Sequence, residues 1–173
     1  MLPVLSLMAL ILLKLIPQTD PPAAPSRTSE LWQVVPDSVY DGDTLRVMRN
    51  GKELKIRLCG IDAPEKDQPL GTEARDYLRS LIDQSNNSVR LVEVEGDHYG
   101  RTVAEVIAVL GESEINLNAQ MVADGMAYHY AQYSGNCPSQ NAIVEAEAIA
   151  QASRAGVWAD SASEKPWKWR QKN

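Results

Sequence analysis

Beyond residue 30, the chain consists largely of short segments in which apolar and polar residues alternate. Successive side chains of a β-strand point to opposite faces, so this period of two residues predicts strands with one buried face. Five strands are predicted: alternating segments at residues 44–49, 53–61 and 89–95, a strand-like segment at 31–39 and a long apolar segment at 102–110. Asn50-Gly51 separates two of them and predicts a tight two-residue hairpin.

Other segments repeat apolar residues at the spacing of a helix. Three helices are predicted, at residues 72–84, 116–124 and 141–155. Thr72 is expected to cap the first helix, and Gly125 and Gly156 are expected to end the second and third. Pro64 and Pro69 interrupt regular pairing, so residues 62–70 are predicted to form a loop.

The first 30 residues have a different composition. Residues 2–16 are almost wholly apolar, and residues 17–29 are rich in Pro, Ala and Ser. The apolar run has the length of a signal-peptide core and is short for a membrane span, so we expect a secreted or extracytoplasmic protein. The alternative is an uncleaved membrane tether through residues 2–16. The boundaries are then a leader or anchor with its linker at 1–30, a folded domain at 31–160, and a basic, Trp-containing tail at 161–173.

Charge and cysteine content narrow the function classes. The chain has 173 residues, a formal net charge of −6 and a hydrophobic fraction of 44%. An acidic chain is poorly suited to tight non-specific binding of nucleic acid, which depends on Lys and Arg neutralising phosphates. A metal ion and a few arginines can still meet phosphate locally. Cys59 and Cys137 could pair in an exported protein, but two separate thiols are favoured because the sequence does not place their Cβ atoms.

The candidate chemistry begins at residues 40–44, where Asp41 and Asp43 flank a glycine between two predicted strands. By itself, Asp-Gly-Asp is more often a plain turn than a cation site. A second acidic cluster, at residues 62–65, follows the strand that carries Arg57 on its non-core face. These neighbours favour the functional interpretation of the acidic turn.

The remaining candidates are weaker. His98 and His129 have no partners at metal-binding spacing, so no zinc site is expected. Tyr128, Tyr130 and Tyr133 could stack on bases, although a place at the edge of the core is slightly favoured for each. The basic tail could contact phosphate or be solvated with one anchored Trp.

Several motifs occur in one order that resembles the staphylococcal-nuclease-like (thermonuclease) family over residues 31–160. They are Asp-Gly-Asp-Thr at 41–44, Ile-Arg-Leu-x-Gly-Ile-Asp-Ala-Pro-Glu at 56–65, Asp-x-Tyr-Gly-Arg at 97–101 and Gly-Val-Trp at 156–158. The resemblance implies an α+β, mainly β fold: an OB-type five-stranded barrel with three helices. Such barrels commonly bind oligonucleotides.

The resemblance also implies a metal centre. It assigns one Ca²⁺ ion to the carboxylates of Asp43 and Asp62 and to the backbone carbonyl of Ala63. Family members often have Thr at the last position, and a main-chain contact survives the change to Ala. Asp41 matches a nearby acidic position that supports the ligands.

The remaining site residues are implied in the same way. Glu65 resembles the residue that orients or deprotonates the attacking water. Arg57 and Arg101 resemble the pair that grips the scissile phosphate, and Tyr99 matches a residue close to the nucleotide phosphate. His98 stands where the family can have a lysine, so one phosphate contact is not assigned.

The expected function is that of a monomeric, calcium-dependent endonuclease. It would hydrolyse phosphodiester bonds in DNA and RNA without strong sequence specificity, by water attack at phosphorus, leaving 3′-phosphate ends. The alternative is a non-catalytic module that binds nucleic acid or protein. Such modules tend to lose the site's acids and arginines, all of which are present here.

Overall fold

The computed structural model describes residues 31–172. The predicted leader or anchor at residues 2–16 and its linker lie outside the described residues. The strands are β1 (Leu31–Val34), β2 (Thr44–Arg49), β3 (Lys52–Leu58), β4 (Ile61–Asp62), β5 (Ser88–Gly96), β6 (Thr102–Leu110), β7 (Ser113–Asn116) and β8 (Tyr128–His129). The helices are α1 (Gly71–Gln84), α2 (Leu117–Ala123), α3 (Gln140–Ser153) and α4 (Pro166–Trp169).

Five of these strands close into a mixed barrel. Their order is β3-β2-β1-β5-β6, and a parallel pairing between β3 and β6 closes the circle, while β7 extends the sheet beyond β6. The predicted hairpin between β2 and β3 is confirmed, because Asn50 and Gly51 both have positive φ and Arg49 pairs with Lys52. The predicted α+β, OB-type barrel class is therefore confirmed.

The core fills the barrel and the space between it and the three long helices. On β3, Ile56 and Leu58 are buried whereas Lys55 is exposed, as the alternating pattern predicts. Helix α1 buries Ala74, Leu78, Leu81 and Ile82 on one face. Burying such apolar surface supplies most of the favourable free energy of folding.

Several predicted element boundaries are wrong. β1 ends at Val34, whereas a strand was predicted to extend to residue 39; Pro36 cannot donate a hydrogen bond to a neighbouring strand. Helix α1 begins at Gly71, with Leu70 in the left-handed region at its N-cap and no side-chain cap, so the predicted capping by Thr72 is wrong. Elements β7, β8 and α4 were not predicted, because segments of two to four residues are too short to show a period.

The expectation of two separate thiols is also wrong. Cys59 and Cys137 form a disulfide with a Cα–Cα distance of 5.9 Å. The bond joins the end of β3 to the segment that precedes α3. Gly60 makes the close approach possible: its φ is +73°, and an added Cβ would lie 2.9 Å from the Cys137 sulfur. Within residues 31–172, no helix is long and apolar enough to cross a membrane.

Candidate active site

The position of Asp43 is set by the pairing of β2 with β3. Thr44 opens β2 opposite Arg57, and the Asp43 carbonyl accepts a hydrogen bond from the Leu58 N–H at 2.9 Å. The Asp43 carboxylate is nearly buried. Its Oδ2 accepts a hydrogen bond from the Ala63 N–H at 2.7 Å, and its Oδ1 accepts one from the Thr44 hydroxyl at 3.2 Å. These bonds fix the carboxylate against the second acidic segment.

Gly42 allows the two acidic segments to approach each other. A Cβ atom at this position would lie 2.6 Å from the Cβ of Ala63 and 2.9 Å from that of Ala74. The glycine therefore lets the turn pack against both the loop after β4 and helix α1. The turn also contains the Asp41 carboxylate, whose Oδ1 accepts a hydrogen bond from the Asp43 N–H at 3.0 Å.

Asp62 lies at the end of β4 and is completely buried. The short antiparallel pairing of β4 with β8 places it opposite Tyr128. Its carboxylate contacts two guanidinium groups: Nη2 of Arg57 lies 2.8 Å from Oδ1, and Nη2 of Arg170 lies 2.9 Å from Oδ2.

Arg57 connects the two acidic segments. Its Nη1 lies 2.9 Å from Oδ2 of Asp43, while its Nη2 contacts Asp62. The two carboxylates are 19 positions apart in the sequence. They bind the two terminal nitrogens of one guanidinium group. The side chain is only 14% exposed, so the pairings lie in a partly desolvated environment where charge interactions are strong.

Glu65 lies in the predicted loop after β4, which ends where α1 begins. Its backbone N–H donates to the side-chain oxygen of Gln68 at 3.2 Å, and its carbonyl accepts from the Gln68 N–H at 2.8 Å. Gly71 packs directly on this turn, since an added Cβ would lie 1.9 Å from the Glu65 carbonyl oxygen. The Glu65 side chain reaches the site and pairs with Nη1 of Arg170 at 2.6 Å.

Arg101 lies near the same face but is held by a different acid. It directly precedes β6, whose Val103 pairs with Arg57 across the parallel closure of the barrel. Its Nε contacts Oδ2 of Asp97 at 2.6 Å, and its guanidinium group lies 5.3 Å from the ring centre of Tyr99. The Tyr99 side chain is 83% exposed. The structure thus places Arg101 and Tyr99 on a loop beside β3, without an ion pair between Arg101 and the carboxylates of Asp43 or Asp62.

Burial and charge shift the pKa values of the acids. Burial, reinforced by repulsion from Asp43, raises the pKa of Asp41 to about 7. Burial also raises the pKa of Asp62, with repulsion from Asp43 adding to the shift, whereas Arg170 and Arg57 oppose it. On the neighbouring loop, hydrogen bonds from Arg101 and Tyr99 outweigh the effect of burial and lower the pKa of Asp97.

Three residues that shape the site were given no role from the sequence. Asp97 opens the motif at 97–101, and the structure shows that it pairs with Arg101 and accepts a hydrogen bond from the Tyr99 N–H. Gln68 has no distinguishing pattern. Arg170 lies 108 positions from Asp62, and only its membership of the basic tail marked it. Contacts across such a separation leave no periodic trace in the sequence.

The donor atoms fit a hard cation. Carboxylate oxygens of Asp43 and Asp62 both meet the guanidinium group of Arg57, and the main chain of Ala63, whose N–H donates to Asp43, lies beside them. Calcium takes carboxylate and carbonyl oxygens of this kind. In the described part of the chain, His, Cys, Asp and Glu form no group of three or more that could hold a metal ion, so a cation here would rely on two carboxylates supplemented by neutral ligands.

Comparison with known proteins identifies the family. The model of the staphylococcal nuclease homologue family matches residues 55–160, which include Arg57, Asp62, Glu65 and Arg101. The chain belongs to this family. The match confirms the resemblance given by the sequence motifs.

Relatives within and beyond bacteria support this assignment. The chain is 39% identical to a micrococcal nuclease of Shigella flexneri over 137 residues, covering 76% of each protein. It is also 39% identical to an uncharacterized endonuclease of Haemophilus influenzae over 149 residues, which cover 86% of this chain and 77% of the relative. A staphylococcal-like nuclease of Arabidopsis thaliana is 33% identical over 119 residues, and the match spans 34% of that longer protein.

Proposed function

We propose that this member of the staphylococcal nuclease family is a calcium-dependent endonuclease that hydrolyses phosphodiester bonds in DNA and RNA. One observation carries the proposal: Asp43 and Asp62, from separate segments, both bind Arg57, and Glu65 is joined to Asp62 through Arg170. Nuclease names among the relatives support the reaction class. The expected products end in 3′-phosphate, and a monomer is sufficient because all the proposed site residues come from one chain.

Each residue has a distinct task in the proposed reaction. Asp43, Asp62 and the carbonyl of Ala63 would hold the calcium ion, which would stabilise negative charge on the phosphate and lower the pKa of a bound water. Glu65 accepts a proton from the attacking water, a step that requires a carboxylate within hydrogen-bond reach. Because a guanidinium group matches two phosphate oxygens and stays protonated, Arg57 and Arg101 suit the charge that develops on the phosphate.

The two arginines must bind substrate from different starting points. Arg57 is paired with Asp43 and Asp62. A bound cation would neutralise those two carboxylates in place of Arg57, and the guanidinium group of Arg57 would then be available to bind phosphate. Arg101 is paired with Asp97 on the neighbouring loop, and its exposed neighbour Tyr99 is the residue that we assign to contact with the nucleotide chain. In this proposal the acidic site repels nucleic acid until it binds a cation, so a net charge of −6 is compatible with a nuclease.

A cleavage assay tests the proposal. Purified oxidised protein is incubated with supercoiled plasmid, single-stranded DNA and RNA, with calcium or with a chelator. We expect cleavage of all three in calcium and none in chelator. Products should resist extension by a polymerase until a phosphatase removes the 3′-phosphate. Folded protein that cleaves nothing with any divalent cation would refute the enzyme assignment.

We also propose that the protein acts outside the cytoplasm, either secreted or tethered through residues 2–16. The disulfide supports this, since such bonds persist mainly in oxidising compartments. Cell fractionation together with mass spectrometry of the mature N-terminus separates the two forms. Recovery of the reduced protein in the cytoplasm with residue 2 intact would contradict both.

A further inference from the structure

The C-terminal segment beyond the family match packs against the candidate active site. Within it, Pro166 is buried and Trp167 lies parallel to the Tyr130 ring, with a centroid distance of 4.8 Å and an interplanar angle of 5°. Lys165 places its Nζ 3.6 Å from the ring centre of Tyr128. Gln68, from the loop that carries Glu65, donates to the Glu164 carbonyl at 2.5 Å. The segment is thus attached both to Tyr128 of β8 and to the loop after β4 that contains Glu65.

These contacts place Arg170 beside the carboxylates of Asp62 and Glu65. Arg170 directly follows α4, and its fork binds both oxygens of Asp62, with Nη2 2.9 Å from Oδ2 and Nη1 3.1 Å from Oδ1. The same Nη1 lies 2.6 Å from Oε1 of Glu65. One planar group therefore fixes the orientation of a proposed cation ligand and that of the proposed base relative to each other.

We propose that Arg170 is a positioning residue of the active site, contributed by a segment outside the matched domain. The inference rests on the proposed function. Arg170 orients Asp62 toward the cation and keeps Glu65 directed at the attacking water, while Arg57 and Arg101 remain the groups assigned to phosphate. A misplacement of about 1 Å at such groups can lower the rate of a reaction about 10²-fold.

The anchoring contacts distinguish this role from that of an inhibitory strap. A strap must leave the site for each turnover, and leaving would separate Trp167 from Tyr130 and remove Lys165 from the rings of Tyr128 and Trp158. Stacked aromatic pairs and a partly desolvated cation over two rings are costly to separate. We therefore expect the segment to stay bound at the site during turnover.

The test compares Arg170→Ala with Lys168→Ala, a matched control that removes an equal charge from an exposed position on α4, two residues away. In Arg170→Ala we expect kcat to fall about 10–100-fold, as for other groups that orient site ligands. KM for DNA should change by less than about threefold, because substrate binding is not the function assigned to Arg170. Lys168→Ala should match the wild type. Arg170→Lys should recover part of the loss, since it keeps the charge but not the fork.

A double-mutant cycle with Glu65→Gln tests the route. If Arg170 acts through Glu65, then Arg170→Ala should cost much less in the Glu65→Gln background than in the wild type. A higher kcat in Arg170→Ala than in the wild type would instead show that the C-terminal segment inhibits the enzyme. Equal losses of kcat in Arg170→Ala and Lys168→Ala would show that only the positive charge of the tail matters. Full additivity with Glu65→Gln would overturn the part of the proposal in which Arg170 acts through Glu65.

A second measurement keeps this inference separate from the nuclease assignment. Urea unfolding without cation is measured for Arg170→Ala, Asp62→Asn and the double variant. Arg170→Ala should lower the urea midpoint of unfolding when Asp62 is present. It should lower that midpoint less in the Asp62→Asn background. If the wild type cleaves nothing, the proposed function fails while this cycle still decides whether Arg170 holds Asp62. Equal effects in both backgrounds would overturn the positioning role itself.

Discussion

Arg57 joins the two acidic segments of the candidate site, because it forms ion pairs with both Asp43 and Asp62. Alternation along β3 predicted that its side chain leaves the core face, and the register with Thr44 places it beside Asp43. The approach to Asp62 then follows from the short connection between β3 and β4. Without a guanidinium group between them, two nearly buried carboxylates would repel each other in a region of low dielectric.

Glu65→Gln tests the proposed base at the residue scale. The amide keeps the shape of the side chain but cannot accept a proton from water. We expect kcat to fall about 10²–10⁴-fold, the usual contribution of a general base. DNA binding in calcium should change little when measured by fluorescence anisotropy. Glu73→Gln, an exposed substitution in the first turn of α1, is the control. A Glu65→Gln enzyme with unchanged turnover would exclude the base role.

Asp41 predicts a pH dependence of stability. Its pKa rises from the ordinary value of 3.8 to about 7, mainly through burial, so the folded state binds more protons than the unfolded chain between these values. Stability from this group is therefore complete below pH 4 and is lost as the pH rises toward 7. One pKa unit corresponds to about 1.4 kcal/mol, so the loss is about 4 kcal/mol at most.

The Asp41→Asn variant isolates this contribution. Its free energy of unfolding in chelator, relative to the wild type, should be more favourable at pH 8 than at pH 4. The amide retains the oxygen that accepts the Asp43 N–H. Asp37→Asn, at an exposed position, is the matched control for the removal of one carboxylate. A constant difference between wild type and Asp41→Asn from pH 4 to pH 8 would contradict the raised pKa.

At the scale of elements, the site depends on a close approach between a turn, a loop and a helix. The turn at 41–43, the loop after β4 and helix α1 meet at Gly42, where no side chain fits. The sequence suggested a glycine needed for a tight turn. The structure adds a packing reason, since the neighbours of a Cβ would be two alanines whose positions are fixed by buried backbone.

Gly42→Ala should therefore damage both stability and activity. The new methyl group would have to displace Ala63 or Ala74, and such overpacking typically costs about 1–3 kcal/mol. Moving Ala63 also moves the N–H that binds Asp43, so cleavage should fall more than the loss of folded protein explains. The control is Gly135→Ala, where an added Cβ meets no atom within 4 Å. Circular-dichroism melts and cleavage rates measure the two effects; equal behaviour of both variants would refute the packing account.

At the scale of the molecule, local patterns and long-range contacts differ in what the sequence reveals. Strands β2, β3 and β5 were predictable because apolar and polar residues alternate along them, whereas β6 was predictable from a long apolar run that is buried from Ala104 to Ala108. The pairing of Arg170 with Asp62 spans 108 positions and follows from the docking of α4, an element of four residues. The disulfide spans 78 positions and depends on the same kind of tertiary placement.

The disulfide allows a last prediction about the whole molecule. A cross-link that closes a loop of 78 positions restricts the unfolded chain, and loops of this size correspond to about 4 kcal/mol in the chain-entropy account. Urea unfolding with reductant, or of the Cys59→Ser/Cys137→Ser variant, should show a free energy of unfolding lower by this order. Reductant should leave the double variant unchanged, which makes that variant the control for side effects of the thiol. Because the bond lies outside the set of residues assigned to catalysis, the folded variant should still cleave DNA at low temperature. An unfolding midpoint that does not respond to reduction, in wild-type protein unfolded and refolded with reductant, would show that the bond contributes nothing to stability.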